Sequence, residues 1–212
     1  MSEQNNETKT TDNVLTVGNI LNNTFGIALK NAGSIILILL AYVLTIWIPY
    51  INVGTTIALW AFTIAIARNE KFAVEELFSA KYRKHMGEYF LLKIMSFLGT
   101  ICGFMFLYVP GIILGIAWSQ ATFLLIDKNL GPMEALKTSN KITYGEKWSI
   151  FGGTFLIIIC LYLIFGILIW IAASISGFGL VGLLVFLGWL TGIVCMLSCG
   201  GYIYNELSKK LN

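Results

Sequence analysis

The sequence predicts an all-α integral membrane protein. Six transmembrane helices form three antiparallel hairpins, each preceded by a cytosolic amphipathic surface helix. Three observations predict it. Apolar residues make up 57% of the 212 residues and charged residues only 12%, with a mean hydropathy of +0.79; soluble domains carry about 25% charge. The apolar residues gather into six runs of membrane-spanning character. The loops after the second and fourth runs and the two tails hold nearly all of the 14 Lys and Arg and all 11 Asp and Glu. The turns at Pro49–Val53, Tyr108–Gly111 and Ser174–Gly179 hold none. Positive loops stay on the cytoplasmic side. The expected location is therefore a bacterial inner (cytoplasmic) membrane, multi-pass, with both termini in the cytosol.

The first 16 residues form a cytosolic tail expected to be disordered, with three acids against one Lys. That is the opposite of a positively charged leader, so the first span should remain as an uncleaved anchor. One six-span membrane domain occupies 17–204, and 205–212 is a second cytosolic tail. The spans run over Asn31–Ile48, Ile51–Ala67, Tyr89–Tyr108, Gly111–Ile126, Ser149–Ala173 and Phe178–Tyr202. At 1.5 Å per residue the third, fifth and sixth cross a core of about 30 Å comfortably, and the others are short. Pro49, Val109-Pro110-Gly111 and Ser176-Gly177-Phe178-Gly179 break the chain between paired spans. Turns this short force antiparallel neighbours.

Each hairpin has an amphipathic prelude. Val17, Ile20, Leu21, Thr24 and Ala28 share one helical stripe. So do Val74, Leu77, Phe78, Tyr82 and Met86 within Phe72–Met86, and Met133, Ala135 and Leu136 within Met133–Ile142. Each would lie on the membrane with its apolar side down. The three preludes occupy matching places in units 17–67, 72–126 and 131–202, a three-fold repeat with a period of roughly 56 to 59 residues. Chance amphipathicity is the alternative reading.

Chemistry-bearing residues are sparse. Ionisable groups inside a span mark function, and only Lys93, one turn into the third span, and Asp127, at the end of the fourth, come close. Lys93 is expected to snorkel to the surface. This excludes a midplane proton relay. The four cysteines lie in apolar runs without metal spacing, and His85 is the only histidine. No catalytic residue, cofactor or metal is expected. A net charge of +3 gives no case for nucleic acid. Most span Ser and Thr can bond their own helix carbonyls. Gln120 cannot, and with Ser119 and Trp118 it marks an interhelical polar site or a ligand contact. Lys81, Arg83, Lys84 and His85 form a basic run placed to meet lipid head groups. Gly188-x-x-x-Gly192 has small-xxx-small spacing, and Gly200-Gly201 marks a further close approach.

From Val109 to Gly152 the chain reads VPGIILGIAWSQATFLLIDKNLGPMEALKTSNKITYGEKWSIFG. This stretch resembles the signature of a bacterial membrane group: the DUF975 proteins, the YciC-like (UPF0259) proteins and the membrane domain attached to some glycerophosphodiester phosphodiesterases. The resemblance rests on Pro110, Gly111, Asp127, Glu134, Ala135, Leu136, Ser139, Gly145 and Trp148, and loosely on the six-span outline. It implies an integral membrane domain without the phosphodiesterase's soluble catalytic domain. A carotenoid-oxygenase label found on some similar proteins requires several iron-binding histidines, and one histidine cannot supply them. Physically, the signature reads as a surface helix begun at Gly131-Pro132, broken at Gly145 and pinned between two spans; a cytosolic docking site is the sharper alternative. The expected function is a non-enzymatic scaffold, accessory or protective factor working through membrane lipids or a protein partner at the cytosolic face. A transporter or flippase for an uncharged or amphipathic substrate is the first rival, and an intramembrane enzyme the second.

Overall fold

A computed structural model describes residues 15–175 and 178–211. Residues 1–14 of the tail expected to be disordered and the turn at Ser176-Gly177 lie outside the described residues, whereas Leu15 and Thr16, assigned to that tail, are ordered: Leu15 is buried and Thr16 caps α1. Among those described there are nine α-helices and no strand. Six helical stretches are long and apolar enough to cross a membrane, as in a multi-pass membrane protein. They are α1 (Val17–Thr45), α2 (Pro49–Ala67), α4 (Met86–Phe106), α5 with α6 (Tyr108–Trp118 and Ala121–Lys128), α8 (Lys147–Ile175) and α9 (Phe178–Ser208). Two shorter helices, α3 (Ala80–Arg83) and α7 (Pro132–Thr143), fill the connections. α1 packs on α2, α4 on α5 and α8 on α9. α9 also touches α1 and α2, so α1, α2, α8 and α9 form one group.

The first prelude and first span are one helix. α1 runs unbroken for 29 residues, about 43 Å at 1.5 Å per residue. Thr16 starts it by accepting a hydrogen bond from the Asn19 amide, a standard N-cap. The helix passes from the predicted surface segment into the span at Asn31 without a break, and the Asn31 side-chain amide donates to the Ile27 carbonyl of the same helix, 3.0 Å away. The stripe predicted to face lipid faces protein instead. Ile20, Thr24 and Ala28 are buried, and Ile20 lies against Gly153 of α8. Helical periodicity identifies an apolar side but not what covers it.

The second prelude is not one helix. Val74–Phe78 is a 3₁₀ turn and Ala80–Arg83 a single α turn. Ser79 separates them in an extended conformation, and its hydroxyl accepts from the Lys81 amide. Capping of this kind competes with helix continuation. Leu77 and Tyr82 turn inward to the protein core. The third prelude forms as α7, with Pro132 in its first turn. Its buried side is Ala135, Leu136, Ser139, Ile142 and Thr143, packed on α5 and α6, while Met133 and Glu134 are exposed. Gly145 ends the connection with φ +85°, the left-handed region that favours glycine.

Two turns differ from expectation in detail. The α4–α5 reversal occurs at Leu107 alone, whose backbone is extended. Pro110 sits within the first turn of α5, where its missing N–H has no helical partner to lose. Gly111 is a close-packing site: a Cβ on Gly103 would come 3.0 Å from the Gly111 Cα. The fourth span is interrupted at Ser119 and Gln120, which separate α5 from α6.

Candidate functional site

The chain places one ionic junction where three helix ends meet. Arg68 caps the end of α2, Asp127 lies in the last turn of α6, and Tyr204 lies near the end of α9. The guanidinium donates two hydrogen bonds to the Asp127 carboxylate, Nη1 to Oδ1 at 2.7 Å and Nη2 to Oδ2 at 2.8 Å. The Tyr204 hydroxyl donates to the same Oδ2 at 2.7 Å. The bidentate fork is the strong, directional form of an ion pair. The hydrogen bond to Asp127 raises the Arg68 pKa above its ordinary value, outweighing desolvation. Tyr204 is fully buried. Its ring stacks on Phe123 at 5.2 Å, and Phe123 meets Trp60 edge-on at 5.3 Å. In sequence, each of the three charged or phenolic residues follows or ends the second span of one predicted unit.

Beside this junction is a polar recess of about 550 Å³, lined by Arg68, Asp127, Lys71, Lys81, Tyr82 and His85 among others. Much of its charge is internally matched. Lys81 meets Glu76 at 3.4 Å and lies over the Tyr82 ring at 4.8 Å. Burial pushes the Tyr82 phenol up, so it stays a neutral donor. His85 is 3.3 Å from Glu88, three residues on. Arg83 donates to the Phe78 carbonyl at 3.0 Å, and its stem lies against Gly54. Lys84 is exposed. The basic run therefore folds partly back on the protein.

A second ionic contact joins the two ends of the described chain. Glu146, almost fully buried, accepts from the Leu15 backbone amide at 3.3 Å and from Lys210 Nζ at 3.2 Å. Lys93 lies over the rings of Trp60 at 5.1 Å and Tyr89 at 5.4 Å. Two aromatic faces hold its ammonium, instead of the reach to the surface that its position near the helix start predicted.

The predicted polar site at Trp118, Ser119 and Gln120 is the helix break itself. Ser119 Oγ donates to the Ile116 carbonyl at 2.8 Å and accepts from Gln120 Nε2 at 3.0 Å. Gln120 is buried, and its Oε1 has no protein partner. It lines neither the polar recess nor the apolar cavity among α2, α8 and α9. Trp118 packs its ring on Gly99. Ser139 of α7, fully buried, donates to the Ala117 carbonyl at 2.6 Å, a carbonyl at the interruption. Ser139→Ala is expected to destabilise by about 1–2 kcal/mol, the cost of an unsatisfied buried acceptor. Thermal unfolding in detergent measures it, and an unchanged midpoint refutes the role.

The remaining signature positions sort by packing. Ala135 and Leu136 are core. Glu134 is exposed in the first turn of α7, where a carboxylate suits the helix dipole. Trp148 is exposed and edge-on to Phe151. Arg68, Tyr204, Glu146 and Lys210 were not read in the sequence as members of a polar site. A signal was present for the first two: they and Asp127 end the second spans of successive units. Among the described residues no group of three His, Cys, Asp or Glu could hold a metal. Span threonines bond their own helices, as Thr63 does to Leu59, or cross to a neighbour, as Thr45 does to Thr55 at 2.8 Å.

A second, apolar cavity lies elsewhere, among α2, α8 and α9. It measures about 720 Å³ and is lined by apolar side chains including Trp60, Phe165, Trp189 and Met196. No protein-family model, curated protein or solved structure matches the chain.

Proposed function

We propose that the chain is a non-enzymatic protein of the bacterial inner membrane, threaded six times as three hairpins with both termini in the cytosol. It works as a scaffold, accessory or protective factor through membrane lipids or a protein partner at its cytosolic face. The observation that carries this reading is the Arg68–Asp127–Tyr204 junction. The strongest convergence of polar groups is satisfied within itself and ties three helix ends together. A catalytic or ion-coupled site keeps reactive groups free to change partner or protonation; this one holds them in a bidentate lock. The signature resemblance to the DUF975, YciC-like and phosphodiesterase-linked membrane domains points the same way, with Asp127 and Ser139 in structural roles. Lys71 and Lys84, exposed beside the recess and on the basic run, are the residues offered to lipid head groups or to an acidic partner.

The flippase reading is favoured by one observation, the apolar cavity open between spans. Reconstitution separates the two. Vesicles containing the purified protein should move fluorescent phospholipid between leaflets no faster than protein-free vesicles. Exchange accelerated above that of protein-free vesicles would establish transport and sink the scaffold. The threading has its own expected result. In a cysteine-free background, single cysteines at Tyr50 and Val109 should react with an impermeant reagent in intact cells. Those at Lys137 and Asn212 should react only after permeabilisation. Reaction of both sets in intact cells would refute the orientation.

A further inference from the structure

We infer that the cavity between α8 and α9 is a binding site for one hydrocarbon chain of a membrane lipid. The inference rests on the membrane reading above and names the lipid contact that reading leaves general.

The cavity is built by missing side chains. Gly166 faces it from α8, and Gly188 and Gly192 from α9. The Phe165 ring fills the space in front of Gly188, at 3.0 Å from a Cβ placed there. The ring thus packs flush on the Gly188 backbone and bounds the cavity on that side. A Cβ at Gly166 or Gly192 would meet nothing within 4 Å, so the space beyond the Phe165 ring stays open. Trp60 of α2 closes the inner side. Its ring is fixed from behind by Phe123 and by the Lys93 ammonium. The inner wall is therefore rigid.

Three occupants compete for about 720 Å³, a volume within the usual range of roughly 300–1,000 Å³ for small-molecule sites. An empty space forfeits the dispersion contacts of every wall atom. Water needs two to four polar partners, and the wall is overwhelmingly apolar. Hydrocarbon needs none, and it is the solvent next door: Tyr162 and Trp189 line the cavity and are themselves largely exposed. Their outward sides continue into the exposed apolar faces formed by Leu163, Ile167 and Phe186. The opening is thus continuous with the surface that meets lipid, and a chain can enter sideways without its head group leaving the interface. The cavity is elongated along two spans, from Ile158 to Ile169 on α8 and from Val185 to Leu197 on α9, a run that suits a chain rather than a compact ligand.

The test is acyl-chain photolabelling. The full-length protein is reconstituted in phosphatidylcholine vesicles carrying a diazirine on one acyl chain, irradiated, and mapped by mass spectrometry. Adducts are expected on Ile158, Ile193 and Met196, as well as on lipid-facing Leu163 and Phe186. Gly192→Phe and, independently, Gly166→Phe place a ring into open space. Each should remove the cavity adducts while leaving those on Leu163 and Phe186. Cavity residues unlabelled in the wild type would overturn the site. So would labelling that survives both plugs. Protection of the cavity together with a dimeric mass would show that a second copy fills it and would equally overturn the lipid assignment. Failure here leaves the scaffold reading intact, because that reading falls on leaflet exchange and not on occupancy.

Discussion

Asp127→Ala is expected to destabilise the protein by about 2–4 kcal/mol, because it strands a guanidinium and a phenol at once. The carboxylate side chain is 14% exposed and Arg68 28%, so the pair is neither dry nor freely solvated. An exposed pair would contribute about 0–1 kcal/mol. The bidentate geometry and the third hydrogen bond from Tyr204 move this one well above that range. Arg68→Met combined with Asp127→Leu removes both charges and leaves apolar volume. It should cost less than Asp127→Ala alone, since the larger part of the single-mutant loss is the unpaired partner. Tyr204→Phe keeps the stack on Phe123 and removes only the hydroxyl, so about 1 kcal/mol is expected. Unfolding midpoints in detergent measure all three. The decisive quantity is the coupling between the Arg68→Ala and Asp127→Ala single variants. Additivity of the two losses would mean that the junction is not a unit. A fold that tolerates Asp127→Asn while losing a proton-dependent activity would make Asp127 a working acid rather than a tie.

The same junction marks where sequence reading stops. Burial energetics are local, so six apolar runs and their charged connections were readable, and six membrane-length helices follow. The start of α7 at Pro132 and the turn at Gly145, two residues beyond its end at Thr143, were readable too, because a missing N–H and a positive φ are properties of single residues. Partners far apart in the chain were not. Arg68 and Asp127 are 59 residues apart, and Asp127 and Tyr204 are 77. Only the proposed repeat hinted that they share a place. The amphipathic preludes fell between these cases. Periodicity located the apolar side of Ile20, Thr24 and Ala28 and of Ala135 and Leu136, though Met133 of the same predicted stripe is exposed and the buried Ser139 was not on it, and lipid and protein impose the same pattern. Ser139 shows why: a hydroxyl on that side is out of place against hydrocarbon, yet it has a reason once the interruption at Ser119 and Gln120 presents the Ala117 carbonyl. Gln120, read as an interhelical polar contact or a ligand contact, was the one visible sign of that interruption.

Gly201→Ala should be still more damaging, against the usual direction for a helical glycine. Alanine is favoured over glycine in a helix by about 1 kcal/mol, and Gly201 lies inside α9. An added Cβ there would stand 2.4 Å from the backbone oxygen of Thr63, 3.1 Å from Thr63 Cγ2 and 3.2 Å from Ala67 Cβ. None of these is the tip of a flexible side chain. α2 and α9 must separate, and α9 carries Tyr204 three residues further on, where its hydroxyl reaches Asp127. A single methyl group therefore overpacks the helix contact and loosens the junction together. Overpacking alone typically costs about 1–3 kcal/mol; with the junction loosened, a loss of about 3 kcal/mol or more is expected, read as collapse of the monodisperse peak in detergent. Thr63→Ser removes the Cγ2 but leaves the carbonyl, so it should not rescue Gly201→Ala. Gly182→Ala is the control on the same helix: nothing lies within 4 Å of its Cβ position, so helix propensity alone should act, leaving stability unchanged or raised by up to about 1 kcal/mol. Equal behaviour of the two substitutions would show that α2 and α9 do not approach this closely, and the alignment of Arg68 with Asp127 and Tyr204 would lose its physical basis.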